Sequence, residues 1–528
     1  MNRRPALKVL VVSTALAGAA VSAQVLTAQY DNARSGATVH EVTLEPANVN
    51  SRQFGKIFSF KVDGDVYAQP LYLPRVPIPG KGLHNVVYIA TEHDSVYAFD
   101  ADGRPSEPLW HASFLSSGVR AVPSGDVSCP FIAPEIGITP TPVIDLRSGT
   151  LYVLARTKES QGFFGEPRFV QRLHALAVTT GVEKLGGPVE IKARVPGQSA
   201  GGSRGQVDFN PLLELPRAGL LLANGQVYVT WASSCDVHPY HGWVMAYDAR
   251  TLRQTAVFNT SPDSGESGIW QSDNGPASDE QGNVYVVTGN GTFHVAENGR
   301  DYGDTVLKLR LAGGVLKVAD YFTPFNESKL NDEDADLGSG GPVVLPDQPG
   351  DHPHLLLIGG KTGALYVLDR DQLGKYQAGR DAQAIQVRRF RGGIYSAPAY
   401  WNQHLYMLAS EDFLYDFRFE RGRLPVEPQA AGTQRFENPG ATPAISANGQ
   451  RDGIVWVIET KVWDGADRPA ILHAYDAANV AREIYNTEQV NGRDRVGKTL
   501  RFTVPTVANG RVYVPAKGEI DVYGLLGR

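Results

Sequence analysis

The sequence predicts an all-β fold, an eight-bladed β-propeller of four-stranded antiparallel blades, and three observations carry that prediction. One unit recurs about eight times along the 528 residues. Inside each copy, apolar and polar residues alternate with the period of a strand. Turn chemistry rich in Asn-Gly separates the runs. The unit is a proline-led strand, a short link, a Val/Leu-Tyr-Val strand, a polar turn, and a strand ending near Ala-Tyr/Phe-Asp. Repetition on this scale marks a radially repeated β structure, which closes on itself and leaves no long sheet edge exposed.

The copies run in order. QPLYL from Gln69 and VVYIATEHDSVYAFD from Val86 to Asp100 form the first. TPVID with LYVLARTKES and RLHALAV forms the second, and QVYVTW with WVMAYD the third. GPASDEQGNVYVVTGN with VLKLR, GPVVL with ALYVLDR, and APAYWNQHLYML follow. TPAISANGQRDGIVWVIET with LHAYD, then VPTVANGRVYVPAKG with IDVYG, close the series. The lead prolines are Pro70, Pro142, Pro211, Pro276, Pro342, Pro398, Pro443 and Pro505, spaced 45 to 72 residues apart. Asn-Gly pairs at Asn224, Asn290, Asn448, Asn491 and Asn509 supply turns. Residues 24 to about 54 read as an entry segment, after which GKIFSFKVDGDVYAQPLYL starts the first blade. Since the last blade of a closed ring must join the first, part of the N-terminal segment is expected to complete the last blade.

Length alone would divide the chain into several domains. Blades of one propeller share a ring, however, so residues 24–528 are read as a single domain. Fifty basic residues against 56 acidic ones, with no basic face or arginine run, argue against nucleic acid as a partner. With 42% apolar residues, 56 glycines and 34 prolines indicate a turn-dense chain rather than a disordered one. Residues 1–23 read as a signal peptide. Arg3, Arg4 and Lys8 precede the apolar run VLVVSTALAGAAV, and Val21-Ser22-Ala23 offers a cleavage site before Gln24. The run is short for a membrane span. A periplasmic or secreted protein with no membrane anchor after cleavage is expected; an uncleaved anchor is the other reading of the same segment.

Cys129 and Cys235 are the only cysteines. They are able to pair in an oxidising compartment, or to remain separate thiols, because nothing in the sequence sets their distance. Insertions at 116–135, 196–210, 293–304 and 325–339 exceed what hairpins need. They are candidates for a binding face or plain decoration. WASSCDVHPYHGWVMAYD groups Cys235, Asp236, His238, Tyr240, His241 and Trp243. Its spacing fits no specific metal motif, so a loop closing onto the propeller face is the simpler reading.

The repeat P-x-V-x(n)-G-x-V/L-Y-V-x-T/S-x(n)-L/V-x-A-Y/F-D resembles that of pyrroloquinoline-quinone (PQQ) propellers, whose parent family is the quinoprotein alcohol dehydrogenases. The resemblance spans about Tyr30 to Tyr523 and implies PQQ and Ca²⁺ as cofactors and a small alcohol or sugar as substrate. Carried over residue by residue, it implies Asn290 of VYVVTGNGTF as a calcium ligand; by itself Asn290-Gly291 reads as a turn. It implies Glu159 of LYVLARTKES as a second metal ligand, against an ordinary solvated glutamate. Trp270 of SGESGIWQSDNGPAS would lie beneath the quinone, since an indole is a platform for a flat ring. Asp334 and Asp336 of TPFNESKLNDEDADLGSGGP would supply the catalytic base, and Lys361 of GGKTGALYVLDR would contact the quinone oxygens. The chain departs from the family in lacking adjacent cysteines and a Cys-x-x-Cys-His haem motif. Those departures leave a second reading, a non-catalytic scaffold that binds a protein or glycan partner through its loop face.

Overall fold

The computed structural model describes residues 23–162, 165–272, 274–461, 468–490 and 492–527. The expected leader, up to residue 22, and the expected Asn491 turn lie outside the described residues. The all-β prediction holds. Nine sheets are present among the described residues, where eight were expected. Eight of them contain the same four-strand antiparallel meander, and the ninth is a small three-stranded sheet of Arg194–Pro196, Gly202–Ser203 and Gln206–Asp208. That small sheet is built from the expected insertion at 196–210. Among the described residues, no helix is long and apolar enough to cross a membrane.

The first meander is representative. Leu71–Ile78 pairs with Gly82–Ala90, that strand with Ser95–Asp100, and that one with Trp110–Ser113. Seven lead prolines stand immediately before a first strand, as Pro70 does before Leu71 and Pro505 before Thr506. There the missing N–H costs no ladder bond. Pro211 does not. The first strand of the third meander is Leu221–Ala223, and the place of the lead proline is taken by Leu220. The reason is a hydrogen bond: the Leu220 N–H donates to the Thr141 carbonyl at 2.9 Å, and proline has no N–H to give. Asn224 and Asn509 turn as expected, both in the left-handed region that Asn-Gly hairpins require.

The ring is closed from the N-terminal side as expected, but by residues that were expected to start the first blade. Phe54–Lys61 pairs antiparallel with Glu519–Leu525 and so completes the sheet begun by Thr506–Ala508 and Arg511–Ala516. First strands of successive sheets adjoin, which makes the arrangement radial. Apolar side chains fill the seams between sheets. Leu355, Leu357 and Leu365 of one sheet, for example, pack with Tyr400, Leu405 and Met407 of the next.

The axis holds a feature that the repeat does not announce. Residues 25–38 run along the first strands in turn. Val25 exchanges backbone hydrogen bonds with Tyr72, and the Leu26, Asn32, Ala33, Ser35 and Gly36 carbonyls accept from Ile144, Ser278, Val344, Tyr400 and Ile445. The Asn32 side chain donates to Leu222 O, and Tyr30 Oη donates to Pro505 O at 2.9 Å. One short segment thereby touches the first strand, or its leading residue, in all eight meanders.

Candidate functional site

In a meander, alternate connections emerge at the same end of the sheet. The turn after each second strand and the link after each fourth strand therefore share one face of the ring. Trp270 lies in the link between Gln254–Asn259 and Ala277–Ser278, and Asn290 follows Val284–Val287. Asp334 and Asp336 lie in the link after Val315–Thr323, just beyond the helix Glu327–Asp332. Lys361 follows Leu355–Gly359. These five of the six expected residues thus rise to one face.

Their side chains converge. Lys361 Nζ is 2.6 Å from Asp336 Oδ2 and 2.8 Å from Asp334 Oδ1. Asn290 donates its backbone N–H to Asp336 Oδ1 at 2.8 Å and its amide Nδ2 to Asp334 Oδ1 at 2.6 Å. The Thr288-Gly289-Asn290 stretch has a steric logic. Any side chain at Gly289 would overlap the Asp336 carboxylate and approach Trp270 Cδ1. Burial raises the Asp336 carboxyl above its ordinary range, although the adjacent Lys361 charge pulls the other way. Burial likewise pulls the Lys361 ammonium down, but Asp336 and Asp334 outweigh it and hold it above its ordinary value.

Trp270, Asp334, Asp336 and Lys361 line one cavity of about 370 Å³. The remaining wall was not legible in the sequence. Tyr67, Phe131, Tyr395 and Phe502 make it aromatic, and Arg217 and Arg501 bring positive charge. The Arg217 guanidinium lies 5.4 Å from the Tyr67 ring centroid and 5.5 Å from that of Phe502, and Arg501 lies 4.2 Å from that of Phe131. Cys129 and Cys235 form a disulfide, with a Cα separation of 5.6 Å, that forms part of the cavity wall. The open alternative of the sequence, paired or separate thiols, is settled in favour of the pair.

Glu159 does not join them. It ends the ten-residue strand Thr150–Glu159 and forms ion pairs with Arg172 at 2.5 Å and Arg168 at 4.0 Å on the neighbouring strand. The acidic residue that follows a second strand and does line the cavity is Asp236, beyond Gln226–Ser233. A sequence signal existed, since Asp236 follows Cys235 in the cluster already singled out. Without the tertiary fold, nothing linked that turn to Trp270.

A planar, conjugated, multiply anionic quinone such as PQQ fits this donor set: an indole, four further rings and three cationic side chains. A divalent cation does not fit the arrangement as it stands. Asn290 Oδ1 is buried and without a hydrogen-bond partner among the described residues, which is a ligand's opportunity. But calcium needs six to eight oxygens; Asp334 and Asp336 already face the Lys361 ammonium, and the buried Asp304 beside them, whose Oδ2 is also without a partner among the described residues, does not line the cavity. Among the described residues, no three His, Cys, Asp or Glu side chains are grouped to hold a metal.

No family model matches the chain. No curated protein matches it either. Solved structures do. The quinohemoprotein alcohol dehydrogenase from Comamonas testosteroni matches with a TM-score of 0.60 and 14% identity over 95% of this chain and 80% of that one. A europium-containing methanol dehydrogenase matches with 0.58 and 13% over 95% and 98%. BamB from Moraxella catarrhalis matches with 0.50 and 13% over 89% and 99%. At such identities the likeness is one of fold. The chain has the β-propeller fold of the quinoprotein dehydrogenases.

Proposed function

We propose that this chain is an exported propeller of eight blades whose face cavity binds a planar anionic quinone, and that it oxidises a small alcohol or sugar. The observation that carries the reading is the convergence of Trp270, Arg217, Arg501, Lys361 and Asp336 on one cavity from separate connections. Eight blades follow if the small ninth sheet is counted as an insertion in the link between the second and third meanders. Export is supported by the N-terminal pattern and by a disulfide, which persists in oxidising compartments.

PQQ, when bound, supplies a two-electron acceptor. The chain's own residues do the rest. Trp270 offers an apolar plane for the ring system. Arg217 and Arg501, fixed by their aromatic neighbours, meet ligand carboxylates with planar hydrogen-bonding forks. Lys361 presents positive charge where a ligand oxygen becomes more negative. Asp334, whose side chain is 69% exposed against 6% for Asp336, is the carboxylate able to accept a substrate hydroxyl proton. Asp336 holds Lys361 in place.

The test is a titration of the mature protein with PQQ, with Ca²⁺ and with chelator, following tryptophan fluorescence. Saturable binding, weakened about tenfold or more by Trp270→Ala and by Arg217→Ala, supports the reading. No binding at micromolar quinone removes it. One observation favours a second reading: Lys361 neutralises both acids, as in a site that binds without turnover. On that reading the propeller is a scaffold for a protein or glycan partner. Quinone binding without any dye-linked oxidation of alcohols or sugars would leave it standing.

A further inference from the structure

We propose that Ser199, Glu214 and His241 form a second catalytic site, a serine-hydrolase triad acting on short-chain carboxylic esters. Ser199 Oγ lies 2.5 Å from His241 Nε2. On the other side of the imidazole, Nδ1 lies 3.6 Å from Glu214 Oε1. Glu214 is fully buried and is fixed in turn by the His241 backbone N–H and the Trp243 indole N–H, each at 3.2 Å. Nucleophile, base and acid therefore stand in the order that acyl transfer uses, with an acid–imidazole contact longer than a hydrogen bond that has to tighten in the reaction. None of the three lines the aromatic cavity.

Ser199 is the centre of Gly197-Gln198-Ser199-Ala200-Gly201, a G-x-S-x-G stretch, and the triad follows in the chain order Ser, Glu, His. The stretch does not stand on a strand-to-helix turn here; it precedes Gly202–Ser203 of the small ninth sheet. The motif alone therefore says little, and the geometry of the three side chains carries the argument. Gly201 and Gly265 border the imidazole. A Cβ on either would lie 3.8 Å from Cε1 or 3.9 Å from Nε2, so at these two places no side chain covers the ring, although the Pro239 ring stands beside Gly201. Ser199 is 8% exposed and His241 2%, so an acyl group that reaches Ser199 Oγ has to be small, as acetyl is, rather than a long chain.

In the reaction, Ser199 Oγ attacks the ester carbonyl and its proton passes to His241 Nε2. The C–O bond to the alcohol then breaks, and the alcohol leaves with that proton. Water attacks the acyl-serine, gives a proton to His241, and releases the carboxylic acid as Ser199 regains its hydrogen. Glu214 orients the imidazole throughout; burial raises its carboxyl above the ordinary range, and the neighbouring His241 and Trp243 groups pull it back toward the charged form.

The experiment is to treat the full mature protein with a fluorophosphonate and locate the adduct by peptide mass spectrometry, alongside p-nitrophenyl acetate hydrolysis. An adduct on Ser199 is expected, together with hydrolysis that falls about a thousandfold or more in Ser199→Ala. The adduct is read on the unmutated protein, so its outcome does not depend on any variant folding. No adduct, an adduct only on another residue, or hydrolysis unchanged in a Ser199→Ala protein of unaltered melting temperature overturns the proposal.

Discussion

Lys361 Nζ stands 2.6 Å from Asp336 Oδ2, and this pair is the electrostatic hinge of the face cavity. Asp336 is 4% exposed, so removing its partner leaves a buried carboxylate with no cation. Lys361→Met is expected to cost about 3–5 kcal/mol. The double variant Lys361→Met, Asp336→Asn should recover most of that loss. Denaturant titrations of the four proteins make the cycle, and strictly additive losses would refute the coupling.

Glu92 makes stability fall as pH rises. Burial pushes its carboxyl up to about 7, against the hydrogen bonds from Gly137 N–H and Thr139 Oγ1 that favour the charged form. The folded state therefore holds this proton above the ordinary carboxylate range, where the unfolded chain has released it. The contribution is full below about pH 4.5 and is lost as pH climbs to about 7; it amounts to about 3 kcal/mol. Glu92→Gln should flatten this part of the stability profile. An unchanged slope between pH 5 and 7, at roughly the interval the shift defines, would count against it.

The disulfide spans 106 residues and joins two loops at the cavity wall. Cys129→Ser or Cys235→Ser should lower stability by about 2–5 kcal/mol. Reductant should shift the unfolding midpoint of the unmodified protein toward that of the variants and leave the variants unmoved. A midpoint indifferent to reductant would mean that the bridge does not hold these loops.

Arg34 is fully buried on the axis. It donates to Pro276 O, Thr27 Oγ1, Ala28 O and Leu220 O, with Asp31 as its nearby charge. A lysine cannot reproduce that fork. Arg34→Lys should therefore destabilise by about 2 kcal/mol or more, and Arg34→Met by about 3–5 kcal/mol. Thermal unfolding of both variants checks this; a neutral Arg34→Lys would show that the fork is not needed.

What the sequence determined by itself was whatever repeats. Strand alternation and lead prolines are local signals, and backbone geometry reads them the same way in every copy, so the meanders were legible, and so was closure from the N-terminal side, but not that Phe54–Lys61 provides it. Trp270, Asn290, Asp334, Asp336 and Lys361 were singled out by resemblance to a family rather than by the repeat itself, and the structure places them on one face. The tertiary structure decided what depends on distance between copies. It placed residues 25–38 on the axis, where they meet first strands up to hundreds of residues away. It paired Cys129 with Cys235 and brought Arg217, Arg501 and Asp236 to the cavity. It also drew Glu159 to Arg172 instead, because the nearest opposite charge on a strand is the one across the ladder. Side chains in non-repeating loops carry no periodic signal, and only closing the ring decides which of them meet.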